Sequence, residues 1–193
     1  DTLLSRGQSV LLGCRTSVAG ERLRDELSAR HPDGVTDVAP LDLSSFDEVE
    51  QCVESIARRG MRLSRVICNA GVHVPFASPL TDDGLELHHQ VNCASHLLLV
   101  LSLLDRGVVA DDAQLLYIGS EAHRLARWPR FPLGYWHAYA RSKEDATAAF
   151  FALAARVPSL DVRVISPGTV ETAVGRPKPA LARALGRALH HTS

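Results

Sequence analysis

Five short apolar runs alternate with amphipathic stretches along this chain, and that alternation constrains the fold more than any single motif. Residues 9–14, 35–41, 65–69, 114–119 and 161–166 read as strands. Between them, residues 20–30, 45–59, 80–104 and 135–156 carry apolar side chains at helical spacing, as with Phe46, Val49, Val53 and Ile56. The stretch 80–104 predicts one long helix with a single break, and the chain from Pro177 onward again reads as helix. Strands that are apolar throughout belong to a parallel sheet covered on both faces. Repeated strand–helix units therefore predict an α/β class domain with a doubly wound parallel sheet. With 193 residues, 46% of them hydrophobic, the chain supports one core and one domain over 1–193.

Composition narrows the range of functions. The net charge is −1 and no basic tract stands out, so nucleic acid is not an expected partner. Cys14, Cys52, Cys68 and Cys93 form no C-x-x-C pair and are scattered through structured segments, which predicts buried reduced thiols rather than disulfides. The neighbours His88-His89 and His190-His191 point to different sides of a helix, so neither pair alone makes a metal site, and none is expected. The longest apolar run, residues 97–104, is too short to span a bilayer. The expectation is a cytoplasmic protein, which an anchor or targeting signal upstream of Asp1 would change.

In doubly wound sheets ligands gather beyond the carboxyl ends of the strands, and the chemically suggestive residues of this chain follow its strands. Cys14-Arg15 follows the first, where an acid would hold a ribose 2′-hydroxyl and an Arg accommodates a 2′-phosphate. Asp42-Leu43 follows the second; Asp42 suits an adenine amino group, or a helix cap, a role open also to Ser44 and Ser45. Asn69-Ala70-Gly71 follows the third, with small residues that let a ligand approach the backbone. Asn92 stands mid-helix among apolar neighbours, where its propensity is poor. Ser120 follows the fourth strand, and Pro167-Gly168-Thr169-Val170-Glu171-Thr172 follows the fifth. Tyr139 and Lys143, four residues apart in a helical stretch, share one helix face. An ammonium beside a phenol favours the phenolate, and such a Tyr exchanges a proton with a carbonyl or alcohol oxygen. Taken alone, the same spacing describes a buried ring beside a solvated amine.

In this order and over about residues 1–175, these motifs resemble the short-chain dehydrogenase/reductase family, and within it the retinol-dehydrogenase-related branch. The resemblance implies a Rossmann-like fold and an NADP(H)-dependent oxidoreductase, with NAD(H) less favoured because Arg15 replaces an acid. It assigns Tyr139 as general acid/base, Ser120 as the donor that orients the substrate oxygen, and Lys143 as the residue that holds the nicotinamide ribose and tunes Tyr139. It assigns Asn92 to a water that links Lys143 to solvent. Arg15, Asp42, Leu43, Asn69, Ala70, Gly71, Tyr139, Lys143, Pro167, Gly168, Val170 and Thr172 become the cofactor-binding set. The implied substrate is a small apolar carbonyl or alcohol. One wall of its pocket falls to Trp128, Pro129, Phe131, Pro132, Tyr135 and Trp136. A homodimer through the two long helices on either side of Ser120 is also implied, and membrane association is left open.

One family feature has no counterpart. No T-G-x-x-x-G-x-G turn occurs, and Asp1 to Gly7 reads as the end of the helix that would follow it. In the strand order 3-2-1-4-5-6 the strand before that turn is central. The expectation is therefore an amino-terminally truncated sheet. Its two inner strands must pair with each other, recruit another strand, or leave backbone groups unsatisfied. The loss also predicts weak NADPH binding by residues 1–193 alone. An inactive homologue that binds or scaffolds is the alternative. An extended-type epimerase or dehydratase shares Tyr-x-x-x-Lys, but needs a larger carboxyl-terminal domain.

Overall fold

The computed structural model describes residues 1–168 except Phe76, Ser78 and 128–133, and gives the backbone alone at Leu125, Arg127, Gly134 and Tyr135. Val170, Thr172, most of the expected substrate wall and the helix expected from Pro177 lie outside the described residues.

A 3-10 turn at Leu4–Arg6 closes on Gly7, whose φ of 73° is the left-handed region that favours glycine. Strand β1 (Val10–Cys14), helix α1 (Ser17–Arg30) and strand β2 (Thr36–Pro40) then form a strand–helix–strand unit with β1 and β2 parallel. Gly20 lets α1 settle closely, since a Cβ there would stand 2.6 Å from Cγ1 of Val38. Helix α2 (Phe46–Arg58) starts at Ser45, whose hydroxyl accepts from Glu48 N, and buries Val49, Cys52, Val53 and Ile56 along one stripe.

Strand β3 (Leu63–Cys68), strand β4 (Val109–Ile118) and strand β5 (Asp161–Ile165) make a second parallel sheet in the order β3-β4-β5. Two core clusters hold the molecule together. One runs from Ala39 and Leu43 through α2 to Val91, Leu99 and Leu103, with Leu11 and Val66 against it. The other joins Cys68, Val100, Leu115 and Tyr117 to Ala146, Phe150 and Leu153. Helix α5 (Gly134–Arg156) supplies that last group. Cys52, Cys68 and Cys93 are buried and free, as expected, and Cys14 is half-buried and free.

One expectation is corrected. The helix predicted over 80–104 starts only at Leu87, because Thr81, Asp82, Asp83 and Gly84 make a turn, with Gly84 at φ 77°. It runs as α3 (Leu87–His89), widens into a π-turn at Gln90–Ala94, and continues as α4 (Ser95–Asp105). The expected break is thus a π-turn centred on Asn92. The parallel strands are those expected of a doubly wound sheet lacking its central strand: they form β1-β2 and β3-β4-β5, with no ladder between the two. Of the three outcomes open to the inner strands, the structure adopts unpaired edges.

Candidate active site

The π-turn brings Asn92 inward until it is fully buried. Its Oδ1 accepts from Val72 N at 2.7 Å, and its Nδ2 donates to Val72 O at 3.0 Å and to Ser142 Oγ at 3.0 Å. The side chain thereby stitches the loop after β3 to α5. Extra width in a π-turn is a recurrent device at functional sites, and here it lets one amide serve two segments. Ser142 passes the connection on, donating from its hydroxyl to Tyr139 O at 2.7 Å.

One turn further along α5, Lys143 is buried beside this network. Its Nζ donates to the carbonyl of Ile118 at 2.9 Å and lies 5.0 Å from the Tyr117 ring centroid, a cation–π distance. Burial pulls the Lys143 pKa down to about 8, with Cys68 opposing weakly. Burial also pushes the Cys68 thiol up to about 12, so it stays neutral. Tyr117 donates its hydroxyl to the carbonyl of Asn92 at 2.8 Å and stacks on Phe150 at 4.7 Å. Gly71 fits only as glycine or with adjustment: a Cβ would lie 3.2 Å from Asn92 Oδ1 and 3.4 Å from Lys143 Nζ.

Tyr139 faces a cluster of rings. His73 lies 4.9 Å from it and 4.3 Å from Trp136, centroid to centroid. His88, fully buried, accepts from Val74 N at 2.9 Å through Nε2, so its proton sits on Nδ1, 2.5 Å from Glu86 Oε1. That ring fixes the loop that carries His73. Burial, and then His88, lower the His73 pKa, so His73 is neutral at pH 7. Ser120 opens the segment beyond β4; its hydroxyl accepts from Ala122 N at 3.2 Å, and its carbonyl accepts from His123 Nδ1 at 2.6 Å.

The structure thus gathers Gly71, Asn92, Tyr139 and Lys143 at the carboxyl ends of β3 and β4, with Ser120 two residues past the carbonyl that Lys143 grips. Asn69 and Ala70 are exposed on the rim, and Ala70 O accepts from His96 Nε2 at 2.9 Å. Pro167 and Gly168 are exposed past β5. Arg15 stands exposed past β1 with no carboxylate paired to it among the described residues. Asp42 does not cap α2, a role taken by Ser45; its Oδ1 holds the turn before the helix, accepting from Ser44 N at 2.8 Å and Ser44 Oγ at 2.7 Å. Leu43 is a core residue whose carbonyl accepts from Ser95 Oγ at 2.6 Å, so its side chain is not available to a ligand. Sequence reasoning missed Ser142, Tyr117, His73 and His88. Tyr117 offered one signal, a hydroxyl inside an otherwise apolar strand; the others became visible only through contacts distant in sequence. Among the described residues no cluster of three metal-ligating side chains occurs. No described helix is long and apolar enough to cross a membrane.

A doubly wound α/β frame with a Tyr/Lys helix packed beside a buried Asn defines a class of oxidoreductase-type site, and comparison with known proteins makes the class specific. The short chain dehydrogenase family model matches residues 1–181, and the chain belongs to that family. It is 30% identical over 185 residues to retinol dehydrogenase 12 of Homo sapiens, covering 90% of this chain and 57% of that protein. It is 31% identical over 204 residues to retinol dehydrogenase 14 of Mus musculus, covering 95% of this chain and 60% of that one. These place it in the retinol-dehydrogenase-related branch, while the chain spans a little over half the length of those relatives. Among solved structures, an alcohol dehydrogenase from the archaeon Thermococcus sibiricus, complexed with 5-hydroxy-NADP, superposes with a TM-score of 0.72. At 21% identity, over 97% of this chain and 82% of that one, the likeness is one of fold.

Proposed function

We propose that this chain carries the proton-transfer half of an NADP(H)-dependent reductase that interconverts a carbonyl and an alcohol on a small apolar substrate. The observation that carries the reading is the buried Lys143, anchored to Ile118 O one helical turn from Tyr139. The names of the relatives and the NADP-bound fold neighbours support it.

The described residues meet a nicotinamide cofactor at two places. At the nicotinamide-ribose end they fit: Lys143 has N–H groups beyond the one given to Ile118 O, and Gly71 keeps the approach open. At the other end Arg15 is an exposed cation free to meet a 2′-phosphate. When bound, the nicotinamide supplies the hydride. Tyr139 gives its hydroxyl proton to the nascent alkoxide, or takes it back in the reverse direction. Ser120 donates to the same oxygen and holds it. Lys143 holds positive charge close to the phenol and replenishes its proton. The Asn92 amide, engaged with Val72 and Ser142, holds the loop after β3 against α5 beside Lys143. Trp136 and His73 set their rings beside Tyr139.

The second reading is a homologue that binds or scaffolds without turning substrate over. One experiment separates the two. Fused behind the strand and Gly-rich turn of a complete family member, the chain is expected to reduce all-trans-retinal with NADPH in preference to NADH. Tyr139→Phe should lower turnover about 10²–10⁴-fold while NADPH still quenches tryptophan fluorescence. Normal turnover by Tyr139→Phe removes Tyr139 from proton transfer. A fused wild-type protein that binds NADPH without turning over any carbonyl supports the inactive homologue.

A further inference from the structure

Lys143 is a buried amine beside which the fold sets no counter-ion. Its side chain comes from α5, and only 4% of the residue is exposed. Among the described residues no carboxylate pairs with it. The titratable groups that face it are Cys68 of β3, His96 of α4, Tyr117 of β4 and Tyr139, one turn away on α5. The loop after β3 brings Gly71, and the π-turn brings Asn92, neither of them charged. Burial holds the Cys68 thiol up at about 12 and the His96 imidazole down at about 4, so both are neutral at pH 7. Burial raises the Tyr117 phenol as well. A buried ammonium with nothing to compensate it gives up its proton. Charge on Lys143 therefore rests on a dipole and on a ring face.

Two consecutive residues of β4 supply both. Ile118 O accepts from Lys143 Nζ at 2.9 Å, and the same nitrogen stands over the Tyr117 ring, 5.0 Å from its centroid. The face of an aromatic ring carries negative potential, and its attraction for a cation is largest where water is excluded. The Tyr117 ring is wholly buried, and it is held from three directions. Its hydroxyl donates to Asn92 O in the π-turn at 2.8 Å, Phe150 stacks on it at 4.7 Å, and His96 meets it edge to face at 6.0 Å. A phenylalanine would fill the same core with no hydroxyl to satisfy. The hydroxyl fixes how the ring stands.

We propose that Tyr117 is a positioning residue for Lys143, whose ring face keeps the ammonium charged and in place beside Tyr139 and whose hydroxyl ties that ring to the π-turn. Tyr117 acts only through Lys143. Weakening its ring face lets Lys143 go neutral, and Tyr139 then loses the positive charge that favours its phenolate. The consequence for turnover rests on the reductase reading; the charge on Lys143 does not.

Lys143 and Lys178 are the two lysines of the chain, so lysine isotopically labelled at Cε gives two NMR signals, which Lys178→Arg assigns. In the unaltered protein the Lys143 signal is expected to titrate at about 8. Its ε-methylene protons should lie upfield of those of Lys178, because the ring current shields groups above a ring face. Fluorinated phenylalanine nearly keeps the size of the ring while draining its negative face, so a role confined to packing would not respond to it. Tyr117→Phe is the reference, and Tyr117→trifluorophenylalanine should titrate at least about half a pKa unit below it. A smaller gap between these two variants overturns the proposal. So do coincident ε-methylene shifts for Lys143 and Lys178 in the unaltered protein, a readout that holds when a variant fails to fold. Neither measurement uses cofactor or turnover, so failure here leaves the reductase reading standing, and failure of that reading leaves the charge on Lys143 testable.

Discussion

The two sheets are built from the same strand–helix unit yet reach different states of completion. In β3-β4-β5 the central strand is bonded on both sides, and its carboxyl end carries a buried polar network tied to α5 and the π-turn. In β1-β2 neither strand is central, all of β1 and all of β2 but Ala39 is exposed or partly so, and its candidate ligand residue Arg15 stands in solvent. Parallel strands derive their stability from being covered on both edges and both faces. The lesson is that the proposed proton-transfer residues are held by one half of the fold, whereas Arg15, the proposed phosphate contact, depends on the half whose edge is open. The two are joined through side-chain packing of α2 against α4, not through a shared ladder.

The strongest way to break this comparison is Asn92→Ala. It strands Val72 N, Val72 O and Ser142 Oγ in a buried setting and is expected to cost about 3 kcal/mol, read by urea unfolding. A cost below about 0.5 kcal/mol would mean that the network does not hold its half together. Close behind is the pH response of Lys143. Its folded pKa of about 8 lies below the ordinary 10.5, so the folded state binds fewer protons between those values. The penalty for a charged buried amine is present in full below about pH 8 and is relieved as pH rises toward 10.5. Stability should rise across that window by an amount on the order of 3 kcal/mol, and Lys143→Met should flatten the rise. An unchanged slope in Lys143→Met assigns the rise to other groups. The smallest effect sharpens the comparison from the other side. Gly20→Ala pushes a Cβ to 2.6 Å from Val38 Cγ1 and 3.0 Å from Cys14 Cβ. It should cost about 2 kcal/mol, with faster amide exchange in β1 and β2 and little change in β3 to β5. Equal loosening of all five strands would show that the halves unfold as one.

Much of this was legible in the chain. Each strand and helix lies within a few residues of its apolar run, because strand and helix periodicity are local properties of the sequence. The Tyr139/Lys143 pair was legible for the same reason, both residues lying on one helix. The false extension of the helix back to Leu80 has a local cause too: apolar Leu85 and Leu87 continue the period, while Thr81, Asp83 and Gly84 close a turn through bonds such as Thr81 N to Leu85 O. Asp42 and Leu43 show where local reading ends. Both follow β2 as a ligand-facing pair would, but one caps a turn and the other fills the core. Which role a side chain takes depends on what packs over it.

By itself the sequence determined the class of fold, the order of its elements and the Tyr139/Lys143 pairing on one helix, since periodicity, capping and spacing act over a few neighbours. Only the tertiary structure decided that Asn92 is spent on Val72 and Ser142, that Lys143 is buried against Ile118 O and Tyr117, and that the sheet divides between β1 and β3. Those outcomes rest on hydrogen bonds and desolvation between segments 20 to 50 residues apart, and no local pattern encodes them.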